Sequence, residues 1–466
     1  MLVNRVERGR YLDSVALMRV SRRLEGLDGV EAAALMIGSP SNKALLAGAG
    51  LLARDGEGAT ANDLVIAVKA RDERSASQAM TQAQTLLLDS LPESGGSAAK
   101  LRTLAAALEA LPQANLALIS VPGEFAAYEA RSALERGLHV LLFSDNVPLE
   151  DEASLKRFAA ERGLLLMGPD CGTALIGGTP LAFANAVPRG DIGIVSASGT
   201  GLQEVSTLIA RMGGGLSHGI GVGGRDLDAR VGALGTLAAL DALEQDPATA
   251  KIVLISKPPA PEVAQRVLER IRRSSKPCVV CFLGLEANRG QSPIFAVTLT
   301  EAAERAIGRL LPRSSHPPIV RPGSSGVKGL YCGGTLCAEA ELIFRRKGLA
   351  GEFIDLGDDE YTRGRPHPMI EPEIRNDHVR RAMADPHTGV ILVDVVLGYG
   401  AHESPAAILC KAIAPGKKTV IASVTGTEQD PQGWSRQAAI LRNAGIIVAA
   451  SNAHAAELAA SLVQAI

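Results

Sequence analysis

Aromatic residues make up only 3% of this 466-residue chain, and there is a single tryptophan. Alanine, glycine and valine fill the apolar share instead, a composition that suits layered α/β packing. Neither sign of charge dominates: the net charge is −2, with no Lys/Arg block and no basic stripe. That excludes nucleic acid or an anionic membrane as the main partner. No apolar run approaches the roughly 20 residues that cross a bilayer, and the opening MLVNRVERGRYLD lacks the apolar core of a secretory signal. The six cysteines are scattered, as expected of reduced thiols in a cytoplasm and not of a disulfide framework. Cys278 and Cys281 form a C-x-x-C, but their flanks read as a buried strand and no second Cys/His pair stands nearby. They are expected to be core cysteines, and no metal site is expected.

At about 100–200 residues per domain, the chain has room for three or four domains. In the first stretch, RYLDSVALMRVSRRLEGL is expected to begin as a strand and become an amphipathic helix. GVEAAALMIGS and NDLVIAVKA are expected strands, and SNKALLAGAG and SASQAMTQAQTLLLDS expected helices. Strand–helix–strand followed by strand–helix suggests a ferredoxin-like α+β module over residues 1–92, with LPESGGSAAK as a linker. From Leu101 onward strands and helices alternate, which implies mostly parallel sheets in three successive α/β layers, 98–190, 191–315 and 316–466.

One turn carries chemistry. In GIVSASGTGLQEVSTLIARMGGG, residues 193–215, a buried strand runs into Ser-Ala-Ser-Gly-Thr-Gly and then into a helix with Leu202, Val205, Leu208 and Ile209 on one face. A glycine turn with free hydroxyls at a helix N-terminus is a ready anion site, and Ser198, Gly199 and Thr200 are its candidates. Ser and Thr also serve there as ordinary N-caps. YCGGT, Tyr331–Thr335, repeats the arrangement and adds Gly333, Gly334 and Thr335. RGRPHPMIEPEIR packs His367 between prolines with Arg363, Arg365, Glu371 and Arg375 nearby, a set suited to a carboxylate or phosphate. Asp394 and His402 lie near a strand end, where open α/β sheets place their sites. Arg225 and Asp226 follow a glycine turn and could meet a ligand or each other. Cys171 has no evident base and is expected to be a buried thiol. Trp434 is expected to anchor a surface loop.

The phrases LISVPGEFAAYEARSALERG, MGPDCGT and GIVSASGTG…GIGVGGRDL resemble the α subunit of succinyl-CoA synthetase. GLYCGGTLCAEAELIFRRKGLAGEFIDLGDD and GVILVDVVLGYG resemble the ligase domain of its β subunit. FSDNVPLEDE, GPDCGT, ASGTGLQE, GGRDL, ISKPP and HPMIEP together resemble the FdrA family of acyl-CoA synthetase-like single chains. The resemblance implies a degenerate CoA-binding Rossmann-like domain at 98–190 and two flavodoxin-like CoA-ligase-type domains at 191–315 and 316–466. Two departures bear on mechanism. The ligases phosphorylate a histidine after the second α/β stretch, yet between His218 and His316 this chain has none. Their Gly-rich CoA loop also has no counterpart, which argues against CoA as a ligand. In the ligases a phosphate sits between two helix N-termini, and both launching turns persist here.

FdrA members are linked to allantoin and purine-nitrogen breakdown, as a subunit of oxamate carbamoyltransferase. The resemblance therefore implies a cytoplasmic, oligomeric transferase subunit working with the other chains of such a complex. It would move a carbamoyl group from oxalurate to phosphate, giving oxamate and carbamoyl phosphate. Phosphate or carbamoyl phosphate would occupy Ser198–Thr200 and Gly333–Thr335. Arg225, Arg363 and Arg365 would hold the small carboxylate, and His367, Asp394 and His402 are the catalytic candidates. Two other readings stay open: an NDP-forming acyl-CoA synthetase, and a non-catalytic scaffold that binds a phosphorylated metabolite.

Overall fold

The computed structural model describes all residues except 11, 13, 90–100, 286–292, 314–322, 363–365, 415–417 and 465–466. It divides into two compact units: Met1–Leu101 with Thr362–Pro366, and Arg102–Tyr361 with His367–Ile466.

In the first unit, β1 (Leu2–Glu7), β2 (Val30–Ile37) and β3 (Leu64–Ala70) form an antiparallel sheet in the order β1-β3-β2. Side chains alternate across a strand, so Ile66 and Val68 pack with Leu17, Leu24 and Met80 of the two long helices. Val65 and Ala67 pack on the opposite face with Leu46 and Leu51. Burial on both faces explains the apolar run Leu64–Val68 of β3, which ends at the exposed Lys69. The first strand lies upstream of its expected place. Helix begins at Ser14, and β1 hides in a polar-looking stretch because Asn4 points inward, donating to Leu51 O and accepting from Ala53 N. A ferredoxin-like sandwich has four strands; the described residues contain three.

The second unit holds three sheets. β4 (Leu116–Ile119), β5 (His139–Leu142) and β6 (Leu166–Met167) are parallel and adjacent in that order. The next sheet contains β7 (Thr173–Ile176), β8 (Thr179–Ala182), β9 (Arg189–Ser196), β10 (Leu216–Gly221), β11 (Lys251–Ser256), β12 (Cys278–Phe282) and β13 (Ile294–Phe295), ordered β13-β12-β11-β9-β10-β7-β8. The β7–β8 hairpin was not expected. Its loop is Gly177–Gly178, both with positive φ, the two-residue connection that matches strand twist. The third sheet has β14 (Gly326–Tyr331), β15 (Glu352–Asp355), β16 (Thr388–Val396), β17 (Thr419–Thr425) and β18 (Ile447–Val448), ordered β15-β14-β16-β17-β18. Leaving out the hairpin, the last two sheets share the flavodoxin-like order 2-1-3-4-5, whose switch point lies beside the first strand.

These two halves share one apolar core, in which Ile194, Leu202 and Val205 join Tyr331, Leu336, Leu392 and Ala456. They also cap each other. Glu204 on helix Gly199–Arg211 accepts from Asn452 N at 3.0 Å, where the last helix of the second half begins. Glu339 on helix Gly334–Arg346 accepts from Leu299 N at 2.6 Å, where the last helix of the first half begins. Asn452 Nδ2 further donates to Glu339 Oε2 at 2.8 Å and to Leu336 O at 2.9 Å. Thr425 Oγ1 donates to the other oxygen of Glu204. No cation pairs with either carboxylate among the described residues. Each buried carboxylate thus fills helix-start amides that have no intrahelical acceptor.

Burial pushes the Glu339 carboxyl up to about 7, against the pull of its two donors. Its folded state therefore holds a proton more firmly than the unfolded chain, and the stability this contributes falls as pH rises from its ordinary range through about 7. Glu339→Gln removes this titration. Urea midpoints measured from pH 5 to pH 8 should decline less steeply in the variant than in the wild type.

Candidate functional site

The first turn is built by serine hydroxyls. Ser196, the last residue of β9, donates from Oγ to Ser198 O at 2.7 Å and accepts from Ser198 N at 3.1 Å. Ser198 is the extended N-cap of helix Gly199–Arg211, and its Oγ accepts from Gly201 N at 2.9 Å. Gly199 is exposed and Thr200 half-buried. Their amides open the helix, where no intrahelical carbonyl is available and the dipole is positive.

The second turn follows β14 and starts helix Gly334–Arg346 from Gly333, a cap without a side chain. Here the structure corrects two expectations. Asp394 is fully buried and accepts from Cys332 N and Gly333 N, both at 2.8 Å. Arg375, 1% exposed, donates from Nη1 to Asp394 Oδ1 at 2.9 Å and to Asp394 O at 2.6 Å. Asp394 is therefore the turn's own anion and not a free catalytic group, and Arg375 holds that carboxylate and not a ligand's. The amides left open in this turn are those from Gly334 onward.

The halves bring the two turns into contact. Ser198 Oγ and Thr335 Oγ1 are hydrogen-bonded at 2.5 Å. Reciprocally, a Cβ on Gly333 would stand 3.0 Å from Thr200 Cγ2. Ser198, Thr200, Gly333 and Thr335 thus meet, with Gly199 and Gly334 beside them in the chain.

The remaining candidates fall elsewhere. Arg363 and Arg365 lie outside the described residues. His367 sits with Nε2 against Gly357 and accepts at Nδ1 from Met369 N at 3.2 Å. Burial pushes it down to about 4, so its imidazole is neutral at pH 7. His402 accepts at Nδ1 from Ser404 N at 3.0 Å, and its own N donates to Met369 O at 2.9 Å, which shapes the loop before helix Pro405–Cys410. Arg225 donates to Val147 O at 2.8 Å and pairs with Glu152 at 2.9 Å, tying the β4–β6 layer to the next sheet. Asp226 is buried on Lys156 Nζ at 2.6 Å and caps Gly235 N and Thr236 N. Cys171 is buried and pushed up to about 12, an inert thiol. Trp434 donates from Nε1 to Val424 O, with the Arg211 guanidinium 4.4 Å over its ring, so it joins the halves and is not merely a surface-loop anchor.

Sequence reasoning missed Asp355 and Lys257. Asp355, at the end of β15, accepts at Oδ1 from Gly357 N at 3.0 Å, and its Oδ2 fills the space a side chain at Gly334 would need. Burial, with Asp394 nearby, pushes it up to about 6, and Lys257 opposes the rise. Glu204 and Glu339 were missed as well, although a signal existed. GTGLQE and GTLCAE, which open the two helices, both spell Gly-Thr-x-x-x-Glu. Among the described residues no group of His, Cys, Asp and Glu could hold a metal ion. No helix among them is long and apolar enough to cross a membrane.

Comparison with known proteins agrees with this architecture. Residues 330–462 match the CoA-ligase family, and residues 1–102 match the family "AllF, heavy metal-associated domain". The latter segment has neither cysteine nor histidine, so it offers a heavy metal no thiolate or imidazole ligand. The chain is 42% identical to the uncharacterized protein YahF of Escherichia coli K12, over 96% of each chain. It is 31% identical to the succinate–CoA ligase α subunit 2 of Archaeoglobus fulgidus, over 38% of this chain and 62% of that one. Among solved structures, a dinucleotide-forming acetyl-CoA synthetase of Ca. Korarchaeum cryptofilum matches at 19% identity and a TM-score of 0.31, covering 75% of this chain and 85% of that one.

Asp394→Ala should destabilise the protein by about 3–5 kcal/mol, because it strands the buried Arg375 charge and two amides. Denaturant unfolding reads this directly. A loss under about 1 kcal/mol would show that the pair is not buried as described.

Proposed function

The chain belongs to the same family as YahF, the FdrA-like branch of the succinyl-CoA synthetase superfamily, and on that premise we propose that it is a group-transfer subunit acting on phosphate. The reaction proposed is carbamoyl transfer from oxalurate to phosphate, giving oxamate and carbamoyl phosphate, in company with other chains. The observation that carries this reading is the joined pair of turns at Ser198 and Thr335, kept in a chain with no histidine between His218 and His316. A ligase of this superfamily needs that histidine; a phosphorolytic transferase does not.

The turns can perform the binding part of such a reaction. Amides at Gly199, Thr200, Gly334 and Thr335 would face phosphate oxygens, and the two aligned helix starts would favour negative charge without a lysine in the turn itself. The attacking phosphate would be held and oriented by dipoles already in place, so little reorganisation is required. CoA is not part of this proposal. β4, the first strand of the β4–β6 layer, is followed by Ser120–Val121–Pro122–Gly123, with one glycine and no Gly-rich loop.

Three measurements check the proposal. The chain purified with its co-purifying partners should cleave oxalurate only when phosphate is present. Incubation with γ-labelled ATP or GTP, CoA and carboxylic acids should leave no acid-labile phosphoenzyme and no acyl-CoA. Detecting either would favour the acyl-CoA synthetase reading instead. Thr200→Ala, which removes one hydroxyl donor beside the proposed ligand, should weaken phosphate binding about tenfold, the loss of one hydrogen bond to a charged group. Its thermal midpoint should stay near that of the wild type.

A further inference from the structure

The two halves share a scaffold but not a set of polar residues. Gly221 lies level with Ser196 across β10 and β9, and Asp355 lies level with Tyr331 across β15 and β14. Gly221 and Asp355 are thus counterparts. Ile255 is level with Ser196, and Val393 is level with Leu330, so the next residue, Asp394, corresponds to Ile255. By the same register Lys257 corresponds to Val396. Charged side chains stand where the other half has glycine, isoleucine and valine. Asp394 is accounted for by Arg375 and two amides. Asp355 and Lys257 are not: neither takes part in an ion pair among the described residues, and Lys257 is exposed.

We propose that Asp355 is the proton-transfer residue of the reaction proposed above, and that Lys257 holds the anionic substrate opposite it. This inference rests on that reading. Gly357 N fixes one carboxylate oxygen, and the other reaches the start of helix Gly334–Arg346 because Gly334 leaves it room. The surrounding charges come from every neighbouring element. Asp394 on β16 and Asp358 on the following loop favour the protonated acid, and Lys257 after β11 favours the carboxylate. His367 against Gly357 is neutral at pH 7, and the Cys337 thiol on the helix is held protonated by burial.

The chemistry balances without a cofactor. A phosphate oxygen forms a bond to the ureido carbonyl carbon, and the bond from that carbon to the departing amide nitrogen breaks. The amide nitrogen gains a proton from Asp355, and Asp355 regains one from the attacking hydrogen phosphate. A carbamoyl group suits the site better than a plain acyl group, because its NH₂ can donate to the carboxylate when Asp355 is ionised.

The test uses the full chain and sulfate, a dianion whose charge is constant between pH 5 and pH 8. Wild-type protein should bind sulfate more tightly at pH 5 than at pH 8, by about threefold or more, since protonating Asp355 removes a like charge. Asp355→Asn should bind equally at both, and Lys257→Ala should bind more weakly at both. In the complex with co-purifying chains, Asp355→Asn should lower kcat for phosphorolysis by about 10²–10⁴-fold without raising the phosphate KM. Asp355→Glu should recover part of the rate. Wild-type phosphorolysis should fall as pH rises through about 6, and carbamoyl transfer in the reverse direction should fall with it, because Asp355 begins and ends the cycle protonated. If Asp355→Asn keeps the wild-type pH dependence of sulfate binding, or turns over within about threefold of wild type, the assignment is wrong. Wild type that binds neither sulfate nor phosphate would overturn the functional reading and this assignment together.

Discussion

Two carboxylates buried without a cation hold the second unit together. Glu204 and Glu339 occupy the same place on equivalent helices, and each accepts from the first amide of the other half's last helix. Such groups are costly to bury unless every lone pair is used. The cost is met mostly by the opposite half, which supplies Asn452 N and Thr425 Oγ1 to Glu204 and Leu299 N to Glu339, with Asn452 Nδ2 added from Glu339's own half. Everything near the two turns depends on this exchange, because the same helices begin at Ser198 and Gly333. Their N-termini meet because their sixth residues are tied down one and a half turns further along.

The contact is isologous in form, as in a two-fold dimer. The cap position of one turn touches the second helical residue of the other, at Ser198 with Thr335 and at Thr200 with Gly333. The likeness ends at the charges. The second turn already contains an anion, Asp394, while the first contains hydroxyls only. A ligand between them would meet two unequal surfaces, one with a buried carboxylate behind it.

Much of the fold was legible in the sequence. Alternation from Leu101 onward, the apolar run of β16 and the two glycine turns all follow from periodicities that burial imposes. The turns were legible because Ser, Thr and Gly between a strand and a helix mark the helix start whether they cap it or open it to a ligand. What escaped were residues whose role depends on a partner far along the chain. Asp394 looked catalytic because nothing in VDVVLGYG reveals that Arg375 and the Tyr331–Gly333 turn close on it. Arg375 looked like a ligand's clamp for the same reason. The β7–β8 hairpin was hidden because its two strands are only four residues each, joined by a Gly-Gly loop, too short to stand out from the alternating elements around them. β1 was hidden by Asn4, a polar residue pointing inward.

The exchange of caps also orders the protein's synthesis. Chains emerge from the ribosome N-terminus first, and domains generally fold as they appear. The elements of the first half are in place by Ile307, yet Glu204 waits 248 residues for the amide of Asn452. Until then the nascent half carries an unmatched carboxylate beside an open apolar face. Joining both halves in one chain keeps the missing partner tethered at high local concentration, so that completion is a matter of chain length and not of finding a second subunit.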